Sequence, residues 1–489
     1  MLTDINMNTN NMDENNNSVF INKINIEDKL LIFKKYLDRT NMDHKQYQYD
    51  GVKWCLNNEL GLSPLHNVRG GLIADEMGLG KTIMMIGLCC ANIVPKTLIV
   101  LPPILIDQWY LQIYKTTGHR ALVYYGEDKK YINLNKLDSV PIVITSYAHI
   151  SVSKTQMKEK DELISLLHQV KWNRIIFDEA HHLRNSNTRS LIGAKLLKSD
   201  IRWLVSGTPI QNKKKDFYNL CSVIGYPASF YTNIDNLIKF ANSFILKRTK
   251  KKVGIQMTDI VMNKEIVKWK SNKEMELAQD IHAGLEFSNV TGGNGGNFDY
   301  HKLVLMIKAK QSCVLPKLMF KTFEDLNFYK EALSCSSKLD SVVEAILENK
   351  DNGNGKLIFC QFREEIDEIA TRLRYGGMSN VVIMDGRTTN AKRKKNLENK
   401  NDAIILQIQT GCEGLNLQEN YSEIYFVSPH WNPAIEDQAI ARCHRIGQEK
   451  TVFVKRFEMC KFNQLNTVTI DKYVNVVQEN KRNIINEYM

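Results

Sequence analysis

The sequence predicts an α/β protein of two parallel-sheet units with a mainly helical stretch between them. Three observations carry this. Short apolar runs alternate with helix-like segments over 26–245, the alternation returns over 341–465, and the residues between are different in character. Apolar runs of this length, separated by helices, suit strands buried on both faces, which is how parallel sheets are built. The 489 residues leave room for about two to four domains with large cores.

Residues 1–25 come first, rich in Asn and carrying Asp13 and Glu14. They offer too little apolar surface to offset ordering and are expected to be a disordered tail. In the first unit the expected strands are Lys96–Leu101, Pro141–Ser146, Arg174–Asp178 and Ile201–Ser206, with a helix over Thr82–Asn92. Residues 246–340 are expected to be a helical protrusion and linker. They include the basic string Lys247-Arg248-Thr249-Lys250-Lys251-Lys252 and the segment Gly292-Gly293-Asn294-Gly295-Gly296. No strand precedes those glycines, so they read as a linker.

The second unit carries strands at Lys356–Cys360, Val381–Met384, Ala403–Leu406, Glu423–Val427 and Thr451–Lys455. A helix over Glu364–Arg374 puts Ile366, Ile369, Ala370 and Leu373 on one face. A basic helix is expected around Lys392–Asn396 and another over Pro433–Ile446. Residues 466–489 can form one amphipathic helix. Two units of similar size imply a cleft between them.

Composition narrows the class. With 43% hydrophobic and 24% charged residues, the chain reads as a soluble globular protein. Its net charge of +11 suits a polyanionic partner. The cysteines form no C-x-x-C pair, which argues against zinc, and with no signal peptide they read as reduced thiols of an intracellular protein. No apolar run approaches the ~18 residues of a membrane span.

Chemistry enters at Ala74-Asp-Glu-Met-Gly-Leu-Gly-Lys-Thr82 and Phe177-Asp178-Glu179-Ala180-His181-His182. Gly78 and Gly80 allow a tight backbone curl that aims N–H groups at phosphates. Lys81 can reach the β- and γ-phosphates, and the Thr82 hydroxyl can ligate Mg²⁺. The run ending at Phe177 delivers Asp178 to the metal side of the pocket and Glu179 to the attacking water. The spacing therefore predicts ATP and Mg²⁺ as cofactors. The strict phosphate-loop pattern wants glycine where this chain has Asp75.

At this point the motifs resemble a family. In order, from about Tyr47 to Phe457, the chain is similar to the Swi/Snf DNA-dependent ATPases of helicase superfamily two. Tyr47-Gln48, followed by Gly51 and Trp54, resembles the adenine-reading glutamine motif. Gly71–Thr82 resembles the family's phosphate loop, in which aspartate at position 75 is expected, and the resemblance extends cofactor contact to Asp75, Glu76, Met77 and Leu79. Leu98–Trp109, Ile144–Tyr147 and Ser206-Gly-Thr208-Pro-Ile-Gln-Asn212 are similar to the motifs that follow. Leu246–Lys250 resembles a basic element of the protrusion. Trp431-Asn-Pro-Ala434 and Glu436-Asp-Gln438-Ala-Ile-Ala-Arg442-Cys-His-Arg445-Ile-Gly-Gln448 are the most specific strings.

The resemblance implies two RecA-like lobes, with Arg442 and Arg445 as catalytic arginine fingers and Gln438 as a nucleotide contact. As residues of a helix, three apart, the two arginines would share a face. It also implies backbone contacts to one nucleic-acid strand from Thr145, Ser146, Thr208, Gly386, Arg393 and Trp431. Lys213–Lys215 and Lys250–Lys252 could extend that track. The sequence departs from the family pattern at Gln407–Cys412, which replaces a Ser-Thr-Lys-Ala-Gly-Gly element.

The expected activity is ATP-driven translocation on double-stranded DNA that remodels or displaces bound proteins, with a monomeric motor unit. Nucleosomes or RNA polymerase are candidate partners, and no membrane is involved. Two alternatives stay open: a DEAH-type strand-separating helicase acting on RNA or DNA, and an inactive scaffold clamping DNA or a polymerase. The Trp431 and His444 strings speak against the first, and Lys81, Asp178, Glu179, Arg442 and Arg445 against the second. Richness in Asn, Ile and Lys points to an AT-rich genome, and the compact build resembles motors of large DNA viruses. The expected location is the nucleus or, for a viral protein, the viral factory or virion.

Overall fold

A computed structural model describes residues 25–62, 68–153, 165–186, 188–209, 214–232, 243–285, 300–322, 326–411, 415–463 and 467–488. The expected tail (but for Asn25), the glycine segment 292–296, Lys213 and Cys412 lie outside the described residues, as do Ile210, Gln211 and Asn212.

Two parallel sheets form the body. The first contains β1 (Arg69–Ile73), β2 (Thr97–Leu101), β3 (Leu122–Tyr124), β4 (Ile142–Ser146), β5 (Lys171–Asp178), β6 (Lys198–Val205) and β7 (Ile245–Leu246), in the order β3-β4-β2-β5-β6-β1-β7. The second contains β8 (Ile260–Val267), β9 (Gly355–Cys360), β10 (Val381–Met384), β11 (Ala403–Gln407), β12 (Tyr421–Phe426) and β13 (Val452–Met459), in the order β10-β11-β9-β12-β13-β8.

Alternation along each strand feeds a core on either face. In β2, Leu98 and Val100 enter one cluster while Ile99 and Leu101 enter the other. In β11, Ala403 and Ile405 face one way and Ile404 and Leu406 the other. β2 from Leu98 to Leu101 and β11 from Ala403 to Leu406 are thus unbroken apolar runs, and this signal is what makes central parallel strands legible in sequence.

Strands without that signal are different. β8 lies inside the stretch expected to be mainly helical, yet it pairs in parallel with β13 along its whole length. It is an edge strand, exposed from Ile260 to Ile266, so Ile-Val-Met-Asn-Lys-Glu-Ile-Val shows neither a buried run nor a clean period of two. The helices that follow, Asn272–Ala283, Tyr300–Val314 and Ser337–Leu347, belong to the second unit's side of the molecule. They supply Ala309, Cys313, Leu339 and Val342 to a core cluster of the second sheet.

The helix expected over Pro433–Ile446 stops at Ile440. Beyond it the chain turns, pinned by Gln448, whose Nε2 donates to the carbonyls of Tyr421 (3.0 Å) and Cys443 (3.2 Å). Gly447 at φ 93° permits the reversal. Arg442 and Arg445 therefore sit in a turn and not on a shared helix face.

A closing helix, Ile470–Tyr488, seats Ile470 and Val474 in the second core. Its Gln478 donates to the His430 carbonyl at 2.6 Å and to Glu436 Oε1 at 2.8 Å, while Lys481 reaches the Trp431 carbonyl at 2.7 Å. The described cysteines are free thiols. Among the described residues, no helix is long and apolar enough to cross a membrane.

Candidate active site between the lobes

The phosphate loop leaves the C-terminal end of β1 and runs into the helix Lys81–Ala91. Gly78 and Gly80 both take positive φ, 90° and 78°, a region where a side chain would be strained. A Cβ on Gly80 would also come within 2.5 Å of Gln48 Nε2. Gln48 is buried and donates to the Leu79 carbonyl at 3.4 Å, so the glutamine motif is packed onto the loop. The Lys81 ammonium donates to the carbonyls of Asp75 (2.8 Å) and Glu76 (3.3 Å). Burial lowers its pKa, against the pull of Glu179, Asp75 and Asp178. Thr82 follows on the same helix, partly exposed, as are Glu76 and Met77, whereas the Leu79 side chain is fully buried.

Asp75 supports the loop from behind. Its Oδ1 accepts from the Arg248 backbone N–H at 2.9 Å and from Arg248 Nε at 3.0 Å, and Oδ2 pairs with the same guanidinium. Arg248 also bonds the Tyr47 carbonyl and lies over the Tyr47 ring, 5.5 Å from its centroid. One arginine thus ties together the glutamine motif, the phosphate loop and the strand exit at β7.

Asp178 and Glu179 stand where β5 ends. Asp178 Oδ2 accepts from Trp109 Nε1 at 2.7 Å, and its main-chain carbonyl accepts from the Tyr147 hydroxyl at 2.6 Å. Burial and the neighbouring Glu179 carboxylate push the Asp178 pKa up to about 7. Burial works the same way on Glu179, but His181, Lys81 and Arg442 outweigh it and hold that carboxyl below its ordinary range. Glu179 adopts φ 50°, strained for a residue with a Cβ, and such strain recurs at functional sites. Its Oε2 lies 3.1 Å from His181 Nδ1, close enough for an ion pair, yet off the line of a hydrogen bond.

The second lobe comes to this site through the 441–448 turn. Arg442 is near enough to Lys81 and Glu179 to influence both titrations. Arg445 packs over the loop, with its Cβ 4.0 Å from where a Gly78 Cβ would stand, and its guanidinium bonds Asn416. Gln438 Nε2 donates to the Thr208 hydroxyl across the lobes at 3.1 Å.

The residues expected to touch nucleic acid are scattered by comparison. Thr145 and Ser146 are fully buried, their hydroxyls bonded to the Tyr124 carbonyl (2.9 Å) and His149 Nδ1 (2.8 Å). They shape the end of β4 and present no hydroxyl to a ligand. Thr208 is held by Gln438. Trp431 is partly buried, with the Lys310 ammonium 4.9 Å from its ring centroid. Gly386 is exposed just beyond β10, and Arg393 anchors the helix Asn390–Glu398 by donating to the Asp385 carbonyl at 2.9 Å. That helix exposes Lys392, Lys394 and Lys395.

The motifs give Trp109 and His181 no individual role, place Arg248 only within a basic element of the protrusion, and leave Lys250 as one of three lysines that could extend the nucleic-acid track. A buried indole or guanidinium declares its partner only when distant segments meet.

Comparison with known proteins places this geometry. Residues 47–316 match the SNF2-related domain and residues 337–447 the helicase conserved C-terminal domain. An uncharacterized ATP-dependent helicase of Mycoplasma pneumoniae is 25% identical over 524 residues, covering 96% of this chain and 47% of that protein. The chain therefore spans about half the length of that relative. A probable global transactivator of Orgyia pseudotsugata multicapsid polyhedrosis virus is 27% identical over 480 residues and covers 92% of each chain. The Sulfolobus solfataricus SWI2/SNF2 ATPase core, solved in complex with dsDNA, aligns at 24% identity over 85% of this chain and 88% of that chain, with a TM-score of 0.39. Two parallel-sheet lobes, a phosphate loop and a paired-carboxylate motif on one, an arginine turn on the other, and family motifs matched over most of the length make this chain a member of the SNF2-related family.

Proposed function

We propose that the protein is a double-stranded DNA translocase that uses ATP hydrolysis to displace or remodel DNA-bound proteins. The observation that carries this is the approach of Arg442 from one lobe to Lys81 and Glu179 of the other, with Arg445 packed over the phosphate loop at Gly78. A site divided in this way is complete only when the lobes are closed, so hydrolysis and release alternate closure with opening, and that cycle can step along a polymer. In this reading Gln48 and the loop from Asp75 to Thr82 hold ATP, Glu179 orients the attacking water, and the two arginines offset charge developing on the γ-phosphoryl group.

Mg²⁺ fits the residues present. Asp178 is a buried carboxyl on which burial and the Glu179 charge outweigh the Trp109 hydrogen bond and the Lys81 charge, so its ionised form gains from a further cation, and Thr82 offers a hydroxyl beside the phosphate loop. Among the described residues no cluster of three or more His, Cys, Asp or Glu could hold a metal ion. Mg²⁺ shared with nucleotide phosphates needs none, because one or two protein oxygens and water complete its shell. When bound, it neutralises phosphate charge.

Exposed Lys392, Lys394 and Lys395, with Gly386, support a phosphate-backbone track on the second lobe, which gives salt-dependent and sequence-independent binding. The viral relative, a probable global transactivator, supports a task in transcription, with RNA polymerase or nucleosomes as the roadblock and the nucleus or viral factory as the location.

The test compares ATPase stimulation by duplex DNA, single-stranded DNA and RNA at one salt concentration, alongside displacement of a protein roadblock from duplex. Stimulation by duplex with roadblock displacement is expected. Preference for RNA, or strand separation in place of displacement, would overturn the reading.

A further inference from the structure

Lys250, which the sequence groups with Lys251 and Lys252 as a basic surface run, is only 6% exposed, while its two neighbours are open to solvent. Its backbone N–H donates to Glu76 Oε2 at 2.8 Å. Its ammonium donates to the His444 main-chain carbonyl at 3.1 Å and stands 3.5 Å from Glu76 Oε1. The stem crosses the phosphate loop, with Cε 3.6 Å from where a Gly78 Cβ would stand, on the side where Arg445 packs. Glu76 belongs to the phosphate loop and His444 lies between the two arginines, so one side chain spans both halves of the site.

The segment after Lys250 completes the link. His444 Nε2 bonds the Thr258 carbonyl at 2.8 Å, so the connection from Lys250 to Thr258 is fastened to the arginine turn at both ends. A cavity of about 510 Å³ lies between this connection, Glu76 and His444. Burying an ammonium is costly unless it is paired, and burial does lower the Lys250 pKa against the opposing Glu76 carboxylate. A surface tether would join the lobes without that cost. What the buried one adds is a defined distance between loop and turn.

We propose that Lys250 is a positioning residue for ATP hydrolysis, setting the arginine turn against the phosphate loop by bridging the Glu76 carboxylate and the His444 carbonyl. This rests on the reading of Arg442 and Arg445 as the groups that stabilise the transferring phosphoryl. Misplacement of such a group by about 1 Å costs on the order of a hundredfold in rate. Lys250 acts through the placement of the arginine turn, whose contact with the γ-phosphoryl group strengthens in the transition state, so the loss falls mainly on kcat.

The experiment measures steady-state ATPase kinetics and thermal midpoints for Lys250→Met, Lys250→Arg, Glu76→Gln, the Lys250→Met/Glu76→Gln double variant and Arg445→Ala. Lys250→Met should lower kcat roughly ten- to a hundredfold at nearly unchanged KM and midpoint. Lys250→Arg, which keeps the charge, should recover most of kcat. The double variant should be no worse than Lys250→Met, because both remove one link. Wild-type kcat in Lys250→Met, or a loss that simply tracks a lowered midpoint, overturns the proposal. If Lys250→Met does not fold, Glu76→Gln carries the test, and wild-type kcat there overturns it equally. Arg445→Ala separates the layers. If it loses turnover while Lys250→Met does not, only the positioning role is wrong; if it keeps wild-type turnover, the arginine reading fails and the proposal with it.

Discussion

Gln438 of the second lobe donates a hydrogen bond to the Thr208 hydroxyl of the first at 3.1 Å. The contact continues inward. The Thr208 N–H donates to Ser206 Oγ at 3.3 Å, Ser206 Oγ lies 3.4 Å from His181 Nδ1, and that nitrogen is 3.1 Å from Glu179 Oε2. A short series of polar contacts thus runs from the lobe boundary to the carboxylate assigned to the attacking water. A hydrogen bond of this kind contributes about 1 kcal/mol. Gln438→Ala should therefore lower kcat by roughly fivefold to tenfold, and Thr208→Val should do the same without adding to it. Independent, multiplicative effects of the two changes would break the series.

Glu179→Gln keeps the side-chain shape and removes the charge. ATP binding should persist while turnover falls by roughly a hundredfold or more. Equilibrium nucleotide binding and single-turnover hydrolysis check this together. Normal turnover would remove Glu179 from its assigned role.

Asp178 carries a pH signature. Its folded pKa of about 7 lies above the ordinary carboxylate value, through burial and Glu179. The stability tied to its neutral form is complete at low pH and is lost as pH rises through 7. A divalent cation requires the ionised form, so Mg²⁺ affinity at fixed ATP should rise with pH up to about 7 and then level. Trp109→Phe deletes a donor to the carboxylate and should move the rise to higher pH. The displacement between wild type and variant is the readout, because the nucleotide's own titration is common to both.

The Arg248–Asp75 pair is a stability element. Asp75 is fully buried, and removing its partner strands a carboxylate without solvent. Arg248→Ala should cost about 3–5 kcal/mol, measured by chemical denaturation. A loss below ~1 kcal/mol would mean that water reaches the site and the pair contributes little.

His282 should make the closing helix acid-sensitive. Its Nδ1 donates to the Ala278 carbonyl at 2.6 Å, and its Nε2 accepts from the Ile470 N–H at 3.0 Å. Burial lowers its pKa to about 4, so the folded state takes up a proton later than the unfolded chain. Stability is complete above the ordinary histidine value and is lost as pH falls from there towards 4, by about 3 kcal/mol in all. A proton on Nε2 would oppose the Ile470 N–H and release the helix start. Amide exchange at Ile470 should accelerate selectively between pH 7 and 4.5, and uniform exchange would contradict this. His282→Phe, which cannot titrate, should flatten the slope.

The amino-acid order alone determined the central strands, the loop Gly78–Thr82, the carboxylates Asp178 and Glu179, and the family to which their sequence of motifs belongs. Each is a local signal: an apolar run, a glycine spacing, a short string. Tertiary structure decided the rest. The edge strand β8 is set by pairing with β13 and not by burial. The arginine turn is set by Gln448 gripping Tyr421 and Cys443, which overrides the helical spacing of Arg442 and Arg445. Thr145 and Ser146 look available in a motif and are buried in the fold. Lys250 reads as one of three surface lysines until Glu76 and His444 close around it. These outcomes depend on which distant segments meet, and no spacing along the chain encodes a partner some 190 residues away.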